Sequence, residues 1–360
     1  MNCLTLFSNV GIDEVYLSDL GINVVLANEL EKDRAKFYSK LHPNSEMIQG
    51  SILDGAVYDE IVTKAKQKNV DMVIATPPCQ GMSMANAKRA DKDDPRNSLI
   101  KKVVDVIKDV GPSHVLIENV AGMAKTFIIH NNEQVNIIDY LKENIPSEYH
   151  LEYKVLDCAD YGTPQSRKRI IVLISKEGSW VHPEPTGNRI TVRDAIGHLP
   201  SIEAGEDSGI PWHEGRKAND RHISWMKNTP SGKTAFDNYG KNEYYPQIVD
   251  DQTGKVRKIK GFKTTYKRIA WDKPSPAVTM MNGSINSQNN VHPGRLNPDG
   301  TYSDARVLSV RELLILCGLP ENFLDSHLDE NENFVRKVLG ECFPPKFCYA
   351  MMKTLPSKNK

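Results

Sequence analysis

Residues 71–81 read DMVIATPPCQG. A run of mostly apolar, strand-prone residues is stopped by Pro77 and Pro78, because proline fixes φ and has no N–H to give to a sheet. The segment 71–78 therefore reads as a buried strand, and the prolines make a stiff loop that carries Cys79. Working outward, CLTLFSN (3–9), VVLANE (24–29) and EMIQGSI (46–52) are candidate strands on one side. HVLIENV (114–120), YKVLD (153–157) and RIIVLIS (169–175) are candidates on the other. Helical stretches at about 31–41, 55–68, 98–109 and 133–144 fall between them. Strands alternating with helices predict an α/β fold with a doubly wound, mostly parallel sheet. Such sheets bind ligands beyond the carboxyl ends of their strands, and the chemically suggestive residues of this half fall there.

Cys79 sits in a loop held by rigid backbone, and a helix N-terminus nearby would favour its thiolate. A lone cysteine is more often an inert buried one, but the surrounding PPCQG favours a reactive role. Glu118 ends the next strand, in Glu118-Asn119-Val120, where a carboxylate faces the same crevice and can bond or protonate a ring nitrogen. Read alone it is equally a surface acid capping a helix. In QSRKR (165–169), alternate residues of an extended segment share a face, so Gln165, Arg167 and Arg169 are expected to point one way. Two guanidiniums there suit phosphates or a carbonyl oxygen; a solvated basic face is the plainer reading of RKR alone. After the first strand come Phe7, Asn9 and Gly11, the glycine permitting close backbone approach to a ligand. Glu29 ends the second strand, where an acid commonly holds ribose hydroxyls. A turn glycine and a solvated acid are the alternatives.

Beyond about residue 178 the pattern changes. Pro, Gly, Asn, Asp and Ser become frequent, and the four tryptophans all lie between Trp180 and Trp271, which predicts a smaller, loop-rich lobe with its own aromatic core. Within it, KVRKIKGFKTTYKR (255–268) has seven basic residues and no acid: Lys255, Arg257, Lys258, Lys260, Lys263, Lys267 and Arg268, with Phe262 and Tyr266 interleaved. It reads as a segment that tracks phosphates, or as a solvated charged hairpin. Periodic helix signals return at 310–319 and 345–355. Over the 360 residues Lys+Arg and Asp+Glu both number 46, so basic groups serving a polyanion have to be concentrated locally. No apolar run approaches the roughly 18 residues of a membrane span, and MNCLTLFSNV does not look like a signal peptide. The six cysteines form no C-x-x-C pair, which argues against a metal site or disulfide framework and for a reducing, cytoplasmic setting.

In order, LFSNVG, ANE, PPCQG, ENV, QSRKR, ARVLSVRELLILCGLP (305–320) and LGECFPP (339–345) resemble the DNA cytosine-C5 methyltransferase family over nearly the whole chain. The resemblance implies the S-adenosylmethionine-dependent methyltransferase fold in two lobes. A catalytic domain at 1–185 is completed by about 335–360, and a target-recognition lobe at 186–334 includes 305–320. It implies S-adenosyl-L-methionine as methyl donor and Cys79 as the nucleophile attacking C6 of a cytosine flipped out of the helix. Glu118 partners N3 and the exocyclic amine, Arg169 contacts O2, and Arg167 binds phosphate or braces the catalytic loop. Phe7 packs on the donor adenine and Glu29 holds its ribose. Asn9, Gly11, Ile52, Pro78 and Leu99 complete the donor pocket. Gln80, Ser83, Gln165 and the basic run are the expected DNA contacts. Asn9, Ser51 and Glu341 depart from the family's usual glycine, acid and asparagine, with Asp54 near enough to replace the acid. The implied setting is a nucleoid-associated, monomeric modification enzyme acting on double-stranded DNA beside a separately encoded restriction endonuclease. The rivals are a tRNA cytosine-C5 methyltransferase, an inactive DNA-binding relative and a nicotinamide-dependent oxidoreductase. Met82-Ser83 after PPCQG, the intact Cys79, Glu118 and Arg169, and the incomplete glycine fingerprint argue against them in turn.

Overall fold

The computed structural model describes residues 1–78, 99–238, 240, 242–250, 252–259 and 261–356. The chain folds as two compact units. The first comprises Met1–Cys158, Lys168–Pro185 and Phe343–Lys360, and the second Ala159–Arg167 and Thr186–Cys342. The break near 185 falls where composition changes. Two boundaries differ from expectation: residues 159–167 belong to the second unit, and the return to the first comes at Phe343 rather than about 335.

The first unit opens with β1 (Asn2–Leu6), β2 (Asn23–Glu29), α1 (Lys32–Leu41), β3 (Glu46–Gln49), α2 (Gly55–Gln67) and β4 (Val70–Ala75). It continues with α3 (Leu99–Val110), β5 (His114–Val120), the hairpin β6 (Phe127–His130) and β7 (Glu133–Asn136), α4 (Ile137–Asn144) and β8 (His150–Asp157). The chain then enters the second unit, where Gln165–Ser166 form the short β9, and returns as β10 (Lys168–Ser175). The seven-stranded sheet has the order β3-β2-β1-β4-β5-β10-β8. The first five strands pair in parallel, and β10 is antiparallel to both its neighbours. The sheet is thus mostly parallel, with one reversed strand. Its buried face packs on helices such as α3, whose Leu99, Ile100, Val103, Val104, Val106 and Ile107 recur at helical spacing and are buried, with Lys101, Lys102 and Lys108 between them. The helix expected from residue 133 begins at Ile137 instead. Asn131 and Asn132 both take positive φ (49° and 65°) and close the β6–β7 hairpin, a conformation asparagine tolerates well. Asn136 then caps α4.

The second unit contains α5 (Val192–Ile196), α6 (Asp220–Lys227), the hairpin β11 (Gln247–Val249) and β12 (Val256–Lys258), β13 (Ser275–Pro276) paired with β9, α7 (Val310–Leu316) and α8 (Glu332–Glu341). Trp225, Phe236 and Tyr266 form its aromatic centre, with Tyr266 edge-on to both rings at 5.4 and 5.9 Å. Trp180 is not part of that centre. It lies in the first unit, donating to the Met351 carbonyl of α9 (Pro345–Met352), which packs in that unit. A second buried layer is ionic. Arg306 bridges Asp304 (2.9 Å) and Glu312 (2.8 Å) with essentially no solvent access. Burial also holds His292 beside them down to about 3, so it is neutral. Among the described residues no helix is long and apolar enough to cross a membrane.

Candidate active site

The carboxyl ends of β1, β4 and β5 are stitched together by side chains. Thr76 donates its hydroxyl to the Phe7 carbonyl (3.1 Å), and its N–H bonds the Leu6 carbonyl. Asn119 donates its amide to the Pro77 carbonyl (3.0 Å) and accepts from the Val120 N–H. The backbone leading to Cys79 is therefore pinned between the turn after β1 and the end of β5. Cys79, Gln80, Ser83 and Lys260 lie outside the described residues. Thr76 and Asn119 had no assigned role in the sequence reading, although Asn119 stands inside the ENV motif that drew attention to Glu118.

Glu118 points to the same strand face as Arg169. In the β5–β10 register Glu118 is opposite Ile171 and Val120 is opposite Arg169, so the two charged residues are diagonal neighbours. Arg169 Nε meets Glu118 Oε1 at 2.7 Å, and both side chains are mostly buried, at 14% and 10% exposure. A guanidinium in this position holds the Glu118 carboxyl group in one orientation through a charge-assisted hydrogen bond.

The turn after β1 is conformationally demanding. Phe7, Asn9 and Gly11 all take positive φ, at 61°, 51° and 72°. Asparagine is among the few residues other than glycine that enter this region readily, which explains how Asn9 holds its φ of 51° in this turn. At Gly11 a side chain is excluded as well, because an added Cβ would collide with His42 and Tyr38. Glu29, buried at the end of β2, accepts the Asn9 N–H and the Glu31 N–H, each at 2.8 Å. Burial raises its pKa despite those bonds. The Gly50 N–H bonds the Glu29 carbonyl and so brings the turn holding Ile52 alongside. Ile52 and Leu99 are buried in the first unit's core, and Phe7 packs partly buried against it. Pro78 is half-buried at the end of the described loop. This set fits an adenosyl group: an aromatic ring and apolar residues for the base, and an acid for a diol. Asp54 is otherwise engaged, as its carboxylate caps α2 through the Ala56 and Val57 N–H groups.

Behind the turn, Thr5 and Tyr38 donate hydroxyls to the two oxygens of Glu14 at 2.8 and 2.7 Å, and a His42 ring nitrogen lies 3.2 Å from the Val10 carbonyl. Burial raises the Glu14 pKa to about 7 and raises that of Asp13 also. Nothing in the local sequence pattern marks these acids as buried.

Several expected contacts are corrected. Gln165, Arg167 and Arg169 do not share one strand face, because the strand breaks after Ser166: Gln165 and Arg167 belong to the second unit and Arg169 to the first. Gln165 is buried, donating to the Leu316 carbonyl and accepting the Val278 N–H, so it is not placed to touch DNA. Arg167 is buried with its guanidinium on the carbonyls of Val278 (2.8 Å) and Gly340 (3.2 Å), which braces the backbone rather than binding phosphate. Arg268 has no solvent exposure and donates to the carbonyls of Met226, His292, Asp304 and Ser303, so it is a structural residue. Tyr266 is core rather than surface. Lys255, Arg257, Lys258 and Lys263 are exposed on and beside β12, Lys267 is partly buried, and Phe262 is 75% exposed.

Known proteins match this arrangement. The family model "C-5 cytosine-specific DNA methylase" matches residues 1–357. The Type II methyltransferase M1.HgaI of Avibacterium volantium is 45% identical over 359 residues, covering 99% of this chain and 98% of its own. The Type II methyltransferase M1.HphI of Haemophilus parahaemolyticus is 30% identical over 361 residues, covering 99% and 87%. Among solved structures, a prophage-encoded E. coli protein superposes with a TM-score of 0.69 at 18% identity, covering 99% of this chain and 98% of its own, which speaks to the fold. A sheet of this order, the pinned Pro-Pro loop and the Glu118–Arg169 pair thus coincide with an end-to-end family match, and the chain belongs to the C-5 cytosine-specific DNA methylase family as a DNA (cytosine-5-)-methyltransferase.

Proposed function

We propose that Cys79 is the nucleophile, with Glu118 and Arg169 gripping the target base. Cytosine C5 is a weak nucleophile. Addition of the Cys79 thiolate to C6 saturates that carbon and leaves an enamine across C4 and C5, with N3 and the exocyclic nitrogen taking up the charge, and C5 can then take a methyl group. Glu118 bonds N3 and the exocyclic amine and offsets the charge that builds on the ring. Arg169 keeps Glu118 in one orientation and presents a donor to O2. S-adenosyl-L-methionine, when bound, supplies the electrophilic methyl group. Phe7 and Ile52 hold its adenine, with Pro78 and Leu99 beside them. Glu29 would hold its ribose, at the turn that Asn9 and Gly11 shape. Loss of the C5 proton to water then restores the double bond and expels Cys79 as thiolate. Because C5 and C6 are stacked in duplex DNA, the cytosine leaves the stack first, at a few kcal/mol, with Gln80 and Ser83 holding the vacated site. Arg167 braces the second unit's backbone. The exposed Lys255, Arg257, Lys258 and Lys263, with Lys267 and Lys260, follow the DNA backbone. The observation that carries this reading is the 2.7 Å pair of Glu118 and Arg169 at the strand ends, beside a loop whose Pro77 is held by Asn119.

The two relatives named above are Type II methyltransferases, which supports a role as the modification enzyme of a restriction-modification system; we further propose that it works as a monomer at the nucleoid beside a separately encoded endonuclease. The test is transfer of labelled methyl groups to mixed-sequence duplex DNA, with the modified cytosines mapped. Transfer lost in Cys79→Ala and confined to C5 within one short sequence is the expected result. Transfer that survives in Cys79→Ala overturns the nucleophile assignment, and transfer to tRNA alone overturns the substrate.

A further inference from the structure

The second unit contains a cleft of about 450 Å³ whose lining, among the described residues, includes none of the basic side chains of 255–268. Arg216, Lys217, Asn219 and His222 line it from the start of α6 and the segment before it, and Gly283 and Ser284 face them from another loop. Among the described residues its lining contains two cations, an imidazole, polar groups and the apolar Ala218, Ile285 and Val307, and no acid. Arg216 is held rather than floating, with Nη1 donating to Asn333 Oδ1 at 2.7 Å. The nearest carboxylate to it, Glu332 at 3.8 Å, is engaged more closely by Arg336 at 2.7 Å. Two guanidiniums thus share one carboxylate, and the cleft keeps a net positive charge. His222 is fixed by ring contacts with Trp225 and Tyr266 at 5.1 and 5.2 Å. Gly283 lies close under the Arg216 guanidinium, since a Cβ there would be 2.9 Å from Arg216 Nη1. Just upstream, Met280 and Met281 are exposed at 40% and 75%, apolar surface of a kind that packs on sugars or base edges.

We propose that this cleft seats one phosphodiester and its sugar from the DNA strand, with Arg216 and Lys217 as the cationic contacts. The proposal rests on duplex DNA being the substrate. A phosphate brought between an anchored guanidinium and the exposed Lys217 ammonium gains charge-assisted hydrogen bonds and releases a condensed counterion. The 450 Å³ accommodates more than a bare phosphate, and Asn219, Ser284 and His222 offer hydrogen bonds to the sugar and its ester oxygens. Contacts of this kind set the register of the lobe on the duplex without reading sequence.

The experiment measures binding of the full chain to labelled duplex across a salt series, with and without the sequence it methylates. It compares the native protein, Arg216→Ala, Lys217→Ala and the double variant. The expected result is binding roughly tenfold weaker in the double variant, by the same factor on both duplexes, with the slope of log affinity against log salt reduced by about one. Arg216→Lys is expected to recover part of the loss, and equal melting temperatures exclude unfolding as its cause. An unchanged salt slope in a folded double variant overturns the proposal. A loss confined to the methylated sequence also overturns it, because base readout would then be at work. A rise in melting temperature with inorganic phosphate, abolished in the double variant while DNA binding is untouched, assigns the cleft to a free anion and overturns it too. If the native chain neither binds nor methylates duplex DNA, the substrate assignment itself fails, and that outcome is distinct from the others.

Discussion

At Glu118 and Arg169 the chemistry depends on two atoms 2.7 Å apart, set there by one step of strand register. Glu118→Gln keeps the shape but loses the acid. It is expected to lower the single-turnover rate of methyl transfer by about 10²–10⁴-fold, with donor binding by calorimetry unchanged. A rate within a factor of three of native would remove Glu118 from the mechanism. Glu14 makes a different prediction. Burial lifts its pKa from 4.5 to about 7, so it is neutral in both states at low pH and ionised in both at high pH. Between those values only the unfolded chain releases the proton, so this group's contribution to stability is present below about 4.5 and is lost as pH rises through about 7. Asp13, raised for the same reason, acts in the same direction. Urea midpoints measured from pH 4.5 to 7.5 should fall less steeply in Glu14→Gln than in the native chain; parallel slopes would rule out this origin.

At the scale of an element, the turn between β1 and the next helical turn shows how a sequence departure is absorbed. Asn9 takes φ 51° where the family resemblance implies a glycine, and its N–H is held by Glu29. Asn9→Gly is expected to leave stability within about 0.5 kcal/mol, whereas Asn9→Ala costs about 1 kcal/mol or more because alanine lacks easy access to that region. Gly11 is stricter, combining φ 72° with no room for a Cβ beside His42 and Tyr38. Gly11→Ala should weaken donor binding at least tenfold by titration calorimetry through displacement of the turn. Donor affinity equal to native would show that the turn does not form the pocket.

For the whole molecule, the second unit is organised around buried charge as much as around apolar packing. Arg268 lies at the end of a strongly basic run, and yet its guanidinium is spent on backbone carbonyls while burial lowers its pKa to about 10. Arg268→Ala is expected to destabilise the protein by about 3–5 kcal/mol, since several carbonyls lose their donor at once. Arg257→Ala, on exposed β12, should shift the melting temperature by no more than a degree or two. Thermal unfolding of the two variants side by side checks this, and equal effects would mean that Arg268 is not the internal brace described.

The alternating pattern of strands and helices, the strand-end positions of Glu29, Glu118 and the Pro77-Pro78 loop, and the change in composition beyond about 178 were legible because they depend on local propensity and on periodicity along the chain. The order of motifs named the family for the same reason, since reacting groups must follow the strand ends that carry them. Which basic residues face solvent was not legible: Lys255 and Arg268 belong to one charged run, and only packing exposes the first and buries the second. The sharing of QSRKR between two units was hidden as well, because an extended segment looks continuous until its partners, β13 for one end and β5 and β8 for the other, are known. Burial of Asp13 and Glu14, the bonds of Thr76 and Asn119 that pin the loop before Cys79, and the cationic cleft around Arg216 join residues far apart in the chain. Contacts of that range depend on the tertiary fold, because a side chain's charge, exposure and partners are properties of its surroundings rather than of its neighbours in sequence.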